Sequence, residues 1–333
     1  MGFSDFLEKW KIENSVPEQM SRVILDFYHQ YSKEARGETE ELIQNRFLQF
    51  LHEIKKQLES PYGFTPYHPA ERSGAIDYYQ FGLDFFRPLL DQEKSEILGK
   101  EQFQKLDAFI HSGENAVLFT NHQIEADPQI LSLLLSEEFP YLSEHCIWVS
   151  GTKVCQDPLS VPFSRGRDLL CITSKKRMNE DPEARFDQQQ KNKRTMEVMS
   201  SLLQEGSKCI IVAPSGGRDR ADNDGVVRTI SHLDPKAIQM FYLMSSKAKV
   251  KTHFFPLSLS THKILPPCDD FKDEEVEPRL PSYSSAYAYL GEELDMESAP
   301  ESLQSDRRAA QEWRAQEIEK KIQMGFNKIH SSQ

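Results

Sequence analysis

Long apolar runs are missing from this chain. None approaches the ~20 residues needed to cross a bilayer, the longest being short segments such as Ile130 to Leu135, which reads against a transmembrane protein. Positive charge is also in short supply. Forty Lys and Arg face 52 Asp and Glu, for a net charge of -12 and a pI near 5.4. A nucleic-acid partner, which needs a broad cationic surface, is therefore not expected, and any anionic ligand must meet a local basic patch. Cysteine is scarce, with only Cys146, Cys155, Cys171, Cys209 and Cys268. They are odd in number, form no C-x-x-C pair and lie mostly in apolar surroundings, so they read as reduced core thiols of a cytosol-like compartment. The first 17 residues lack the apolar core of a secretory signal and the acid-poor composition of a transit peptide. Phe6 stands where myristoylation requires Ser or Thr. No His, Cys and Asp cluster has metal-ligand spacing, so no metal and no other cofactor is expected, and there is no internal repeat.

What is present describes an ordinary globular chain of 333 residues, 38% hydrophobic and 28% charged. Met20, Val23, Ile24, Phe27, Tyr28 and Tyr31 recur at helical spacing, as do Ile43, Phe47, Phe50, Leu51, Ile54 and Leu58. With a third helix over Phe3 to Trp10 they predict an N-terminal helical bundle. Pro61 to Pro69 breaks the pattern with three prolines and a glycine. The expected division is a bundle over 1–72 and a larger catalytic domain over 73–333.

Beyond Gln102 short apolar runs alternate with helical stretches. Ala116–Thr120, Cys146–Val149, Leu169–Thr173, Cys209–Ala213 and His253–Ser258 read as buried strands, and Pro128–Glu138, Ala184–Glu205 and Pro235–Lys247 as helices between them. The fold class this predicts is α/β, a mixed sheet flanked by helices on both faces, with the smaller helical bundle in front. Asp269 to Pro281, acidic and Pro-containing, reads as an exposed loop, and Ser302 to Ile329 as a charged amphipathic helix.

Three segments could carry chemistry, each at the end of an expected strand, where α/β sheets bind ligands. The first is His122-x4-Asp127, with Asp127 as helix N-cap and Pro128 in the first turn. Residues five apart face different ways on a helix or strand, so only a turn brings the carboxylate back to the imidazole. There it would fix the tautomer and stabilise the imidazolium, as in a triad without its serine. The nucleophile would then be an alcohol supplied by the substrate. Taken alone, the pair favours a helix cap beside a loop histidine.

The second segment is Ala213 to Arg220. Gly216 and Gly217 let backbone N–H groups approach an anion, and Arg218 and Arg220 offer planar forks to a phosphate. It is too short for a Walker loop, and a glycine turn with arginines paired to Asp219 or Asp222 describes it as well. The third is Ser174-Lys175-Lys176-Arg177, in a basic stretch with Arg165, Arg167, Arg185, Lys191, Lys193 and Arg194. It is either a solvated charge run, a phosphate site or a docking surface for an acidic acyl-carrier protein. The apolar positions Leu131 to Leu135, Met196, Met199, Leu202 and Leu203 read as core.

Together these residues resemble the soluble, plastid-type glycerol-3-phosphate 1-O-acyltransferases from about Ser60 to Ile329. The markers are Pro61 to His68, Asn121-His122-Gln123-x-Glu125-Ala126-Asp127-Pro128, Asp157-Pro158-Leu159-x-x-Pro162-Phe163-Ser164, Ser174-Lys175-Lys176 and Ala213 to Arg220, in that order. The resemblance implies a four-helix N-terminal domain and acyl transfer from acyl-carrier protein, or less often acyl-CoA, to the sn-1 hydroxyl of glycerol 3-phosphate. It implies His122 as general base, Asp127 as its orienting acid, and Lys176, Arg177, Arg218 and Arg220 as phosphate ligands. One departure stands out, because the family's Lys-His pair reads Lys176-Arg177 here. Peripheral membrane contact is left open. The absent transit sequence fits a cytoplasmic bacterial enzyme or a processed stromal one.

Overall fold

The computed structural model describes residues 3–12, 16–174, 178–179, 183–268, 276–298, 300–303 and 305–331. Three amphipathic helices open the chain: α1 (Phe3–Ile12), α2 (Glu18–Glu34) and α3 (Glu40–Glu59). The third begins where Thr39 accepts the N–H of Leu42. Then follow β1 (Tyr67–His68), α4 (Tyr78–Phe86), β2 (Glu96–Leu98), α5 (Lys100–His111), β3 (Asn115–Thr120), α6 (Asp127–Leu135), α7 (Pro140–His145), β4 (Ile147–Gly151), α8 (Val161–Arg165) and β5 (Asp168–Ile172). The chain finishes with α9 (Arg185–Glu205), β6 (Cys209–Val212), α10 (Pro235–Lys247), β7 (Thr252–Ser260), β8 (Tyr287–Leu290) and α11 (Arg307–Ser331).

One mixed sheet of eight strands runs β1-β5-β4-β6-β3-β7-β8-β2. The five strands from β5 to β7 are parallel, so they all end on the same edge, while β1 and β8 pair antiparallel to β5 and β7. In β3 every residue is buried, because alternate side chains feed two different cores. Ala116 and Leu118 pack with Phe103, Leu106, Leu131 and Leu142 on one face. Val117 and Phe119 pack with Met199, Leu203, Phe241 and Ile322 on the other. Helices therefore cover both faces, as the alternation of runs predicts, and the expected apolar positions of α6 and α9 are core.

The N-terminal helices build a third core around aromatic rings. Phe27, Tyr31, Phe47 and Phe50 meet Phe85 of α4 and Phe163 of α8, with ring centroids 5.2 Å apart for Phe47–Phe85 and 5.0 Å for Phe85–Phe163. This cluster runs on past residue 72 into Ile124, Ala126, Ile130 and Leu265. The bundle thus packs directly beneath the segment that carries His122 and Asp127. The Pro61-to-His68 segment anchors the sheet's edge: β1 pairs with β5, and the Arg165 guanidinium lies 4.5 Å from the Tyr62 ring centre and 3.9 Å from that of Tyr78.

The acidic segment after residue 268 corrects one expectation. Residues 269–275 lie outside the described residues, but Glu277 and Arg279 are buried at 4% and 5% exposure, not solvated. Their charges are paired with the partners described below, which offsets the cost of leaving water. Strands β1, β2 and β8 and helices α5, α7 and α8 are additions that periodicity does not announce.

Candidate active site

Because β3, β6 and β7 are parallel neighbours, the segments leaving Thr120, Val212 and Ser260 meet at one edge of the sheet. Asn121 locks the first to the third. Its side chain accepts the N–H of Leu259 (2.8 Å) and donates to the Leu259 carbonyl (3.0 Å), continuing the β3–β7 ladder with an amide in place of backbone. The chain then turns through Gln123 to Ala126. His122 Nδ1 lies 2.7 Å from Asp127 Oδ2, with the imidazole 33% exposed and the carboxylate 1%.

Asp127 does not cap its own helix. The N-cap position is Ala126, without a side-chain bond, and Asp127 instead reaches back to accept the N–H groups of Gln123 (2.9 Å) and Ile124 (3.3 Å) on Oδ2. The turn supplies these otherwise unpaired donors, so the carboxylate serves the loop and the imidazole in place of the helix terminus. Oδ1 accepts the Thr261 hydroxyl at 2.5 Å. An oxygen that already accepts N–H bonds leaves Nδ1 to donate, which puts the lone pair on Nε2. Among the described residues no hydroxyl or thiol is bonded to that Nε2.

The Ala213-to-Arg220 segment closes over this loop through Asp219. Its N–H donates to the His122 carbonyl (2.6 Å), and its buried carboxylate accepts Asn121 Nδ2 (2.8 Å), Gln123 Nε2 (3.4 Å) and the N–H of Ser231 (2.7 Å). Burial pushes the Asp219 carboxyl up, against the pull of these donors. With Asp219 turned inward, Arg218 and Arg220 flank it, the first half-buried and the second exposed. Gly216 holds a φ of +65° that favours glycine, and a Cβ at Gly216 or Gly217 would meet nothing within 4 Å, so the space over the turn is open. Lys176 and Arg177 lie outside the described residues.

Arg218 is held by Glu277 (2.6 Å), which also takes Lys153 (3.1 Å). Arg279, two residues on, donates to its neighbour's carbonyl at Glu277 and forks between Glu125 (3.0 Å) and Asp157 (2.6 Å). Burial opposes its charge, but the carboxylates of Glu125, Asp157 and Glu277 outweigh that and hold its pKa up. Three of the sequence markers are wired together here: Glu125 of the histidine loop, Asp157 of the Asp157-to-Ser164 segment and Arg218. Thr261, Lys153, Glu277 and Arg279 are not singled out by sequence reasoning. The one hint was a lone arginine amid acids and prolines in the segment read as exposed.

For Glu277, burial raises the carboxyl pKa while Arg218 and Lys153 lower it, and the cations win. A pKa depressed by folding stabilises above the unfolded value of about 4.3 and loses that contribution as pH falls through the lower folded value. Thermal unfolding of the protein between pH 3 and 6 is therefore expected to show a drop in Tm at the acid end that Glu277→Gln makes shallower. An unchanged pH slope in the variant would remove Glu277 from the account.

Residues 94–260, half of the chain, match the family described as Acyltransferase. A chloroplastic glycerol-3-phosphate acyltransferase of Cucurbita moschata is 34% identical over 87% of this chain and 65% of its own length. That of Arabidopsis thaliana is 33% identical over 83% and 60%, and that of Pisum sativum is 30% identical over 92% and 67%. The chain belongs to the acyltransferase family, among its plastid-type glycerol-3-phosphate acyltransferases. It spans under two thirds of the length of the first two of these relatives. Among solved structures, a 1-acyl-sn-glycerophosphate acyltransferase of Thermotoga maritima aligns at 12% identity and a TM-score of 0.41 over 74% of this chain and 78% of that one.

Proposed function

We propose that this protein transfers a fatty acyl group from an acyl-carrier protein or CoA thioester to the sn-1 hydroxyl of glycerol 3-phosphate. The product is 1-acyl-sn-glycerol 3-phosphate, and the reaction is the first step of phospholipid synthesis. The observation that carries this reading is the buried, fully bonded Asp127 behind an accessible His122, one hydrogen bond from the segment bearing Arg218 and Arg220.

The mechanism follows from what is positioned and what is not. A phosphate held by Arg218, Arg220, Lys176 and Arg177 fixes the distance of the sn-1 hydroxyl from the clamp. That hydroxyl is too weak an acid to ionise at neutral pH, so His122 Nε2 removes its proton as the oxygen attacks the thioester carbonyl, worth typically about 10²- to 10⁴-fold. Asp127 accepts from Nδ1–H throughout and stabilises the imidazolium. The new C–O bond forms, the tetrahedral oxyanion collapses and the C–S bond breaks. The thiolate leaves without a strong acid and takes up the proton held by His122. A cleft between the start of α6 and the aromatic core is lined mainly by apolar side chains, among them Phe27, Phe86, Pro128, Phe163, Leu169 and Leu265, with Glu125, Arg167 and Arg279 as its charged members. Its apolar walls suit an acyl chain, and its cavity of about 60 Å³ requires them to part to reach the ~300 Å³ or more of a ligand site.

For the donor, the exposed Arg185, Lys191, Lys193 and Arg194 on α9 suit an acidic carrier protein. No helix among the described residues is long and apolar enough to cross a membrane. The chloroplastic relatives support work in the stroma, or in the cytoplasm of a bacterial cell. The deciding experiment supplies radiolabelled acyl-carrier protein and CoA thioesters with and without glycerol 3-phosphate. Labelled 1-acyl-sn-glycerol 3-phosphate is the expected product. Release of free acid alone, at a rate indifferent to glycerol 3-phosphate, would make the protein a thioester hydrolase.

A further inference from the structure

Thr261 is the first residue past β7 and is 1% exposed. It has no place in the histidine loop's sequence pattern, yet two bonds of its own and one from the next residue tie it there. Its hydroxyl donates to Asp127 Oδ1 at 2.5 Å, and its N–H and that of His262 donate to Gln123 Oε1 at 2.7 and 3.0 Å. Gln123 belongs to the turn between His122 and Asp127, so the loop itself sets where Thr261 stands.

The two oxygens of Asp127 are unequally provided for. Oδ2 receives the imidazole and the N–H groups of Gln123 and Ile124, whereas Oδ1 receives the Thr261 hydroxyl. The last torsion of an aspartate is broad, so bonds to one oxygen alone let the carboxylate swing about them. A donor on the far oxygen fixes its plane. Reaction geometry is sensitive on this scale, a misplacement of about 1 Å costing up to about 10²-fold in rate.

We infer that Thr261 is a positioning residue for acyl transfer, acting through Asp127 to hold His122 Nε2 on the line of the attacking hydroxyl. The inference rests on the catalytic reading given above. Thr261→Val is close in shape, keeps the β-branch and the backbone bond to Gln123, and replaces the hydroxyl with a methyl. Thr261→Ser keeps the hydroxyl and removes a methyl. In the acyl-transfer assay the valine variant is expected to lose about 10- to 100-fold in kcat, with the KM for glycerol 3-phosphate within about twofold of the parent. The serine variant should stay within about threefold of the parent in kcat. In ¹⁵N-edited NMR the His122 Nδ1–H signal should persist in the parent and the serine variant and broaden through exchange in the valine variant.

A valine variant with parental kcat would overturn the role. So would a serine variant that falls as far as valine, since packing and not the hydroxyl would then matter. A rise in KM at unchanged kcat would likewise overturn it, by moving Thr261 to substrate binding. Should the parent itself form no ester from glycerol 3-phosphate, the catalytic reading fails, and the NMR comparison still reports whether the hydroxyl orders the imidazole.

Discussion

Replacing His122 by alanine is expected to lower the turnover of the proposed acyl transfer to glycerol 3-phosphate by about 10²- to 10⁴-fold, the span of a lost general base. The fold should survive. The imidazole is one-third exposed, and among the described residues its side-chain bond is the one to Asp127. Asp127 keeps the Gln123, Ile124 and Thr261 donors when the ring is gone, so no buried carboxylate is stranded. The His122 carbonyl, which accepts from Asp219, is backbone and remains. Binding of glycerol 3-phosphate should remain within a few-fold of the parent, because the groups offered to its phosphate lie on another segment. Initial rates with saturating thioester, together with titration calorimetry of glycerol 3-phosphate, separate the two effects. Near-normal turnover in the variant would sink the general-base assignment.

Removal of Arg218 or Arg220 acts on the other parameter. A hydrogen bond to a charged group contributes about 1.5–3 kcal/mol, which corresponds to about a 10- to 150-fold rise in the KM for glycerol 3-phosphate. Arg218 should show the larger effect, since it is shielded beside the buried Glu277 whereas Arg220 is exposed to solvent screening. Arg218→Lys retains charge without the planar fork, and an intermediate KM there would show that the geometry of the guanidinium matters. The rates of the variants with glycerol, which has no phosphate, should match the parent's. Unchanged KM in both alanine variants would take this segment out of the phosphate site.

Much of this architecture is legible in the chain. The strands from β3 to β7 are near-continuous apolar runs because the helices on both faces bury them, and continuity is what a sequence displays most clearly. His122 and Asp127 are legible for a different reason: a five-residue separation makes sense for the pair only across a turn. Reading Asp127 as a helix cap failed because the turn's own N–H groups claimed the carboxylate first. Arg218 and Arg220 were marked by their glycines, but the inward residue between them, Asp219, looked like a partner for the arginines, and only the fold puts it under Asn121. Thr261, Glu277 and Arg279 were illegible. Thr261 and Arg279 meet the histidine loop across 134 and 154 residues of sequence, and Glu277 meets Lys153 across 124; a lone threonine or a charged pair in an acidic stretch has no local pattern that distinguishes it from solvated surface. Short strands such as β2, with three residues, fall below the length at which alternation can be seen.

The cluster around the buried Arg279 sets three cations (Lys153, at the solvent side, Arg218 and Arg279) against three anions (Glu125, Asp157, Glu277). Such an arrangement tolerates simultaneous change better than single change, because removing one member leaves a formal charge in a poorly solvated place. Glu277 is therefore expected to be replaced at less cost together with Lys153 or Arg218 than alone, and Arg279 at less cost together with Glu125 or Asp157. The segment that holds Glu277 and Arg279 is thus tied by charge to the histidine loop through Glu125, in the manner of an interior element and not of a surface loop.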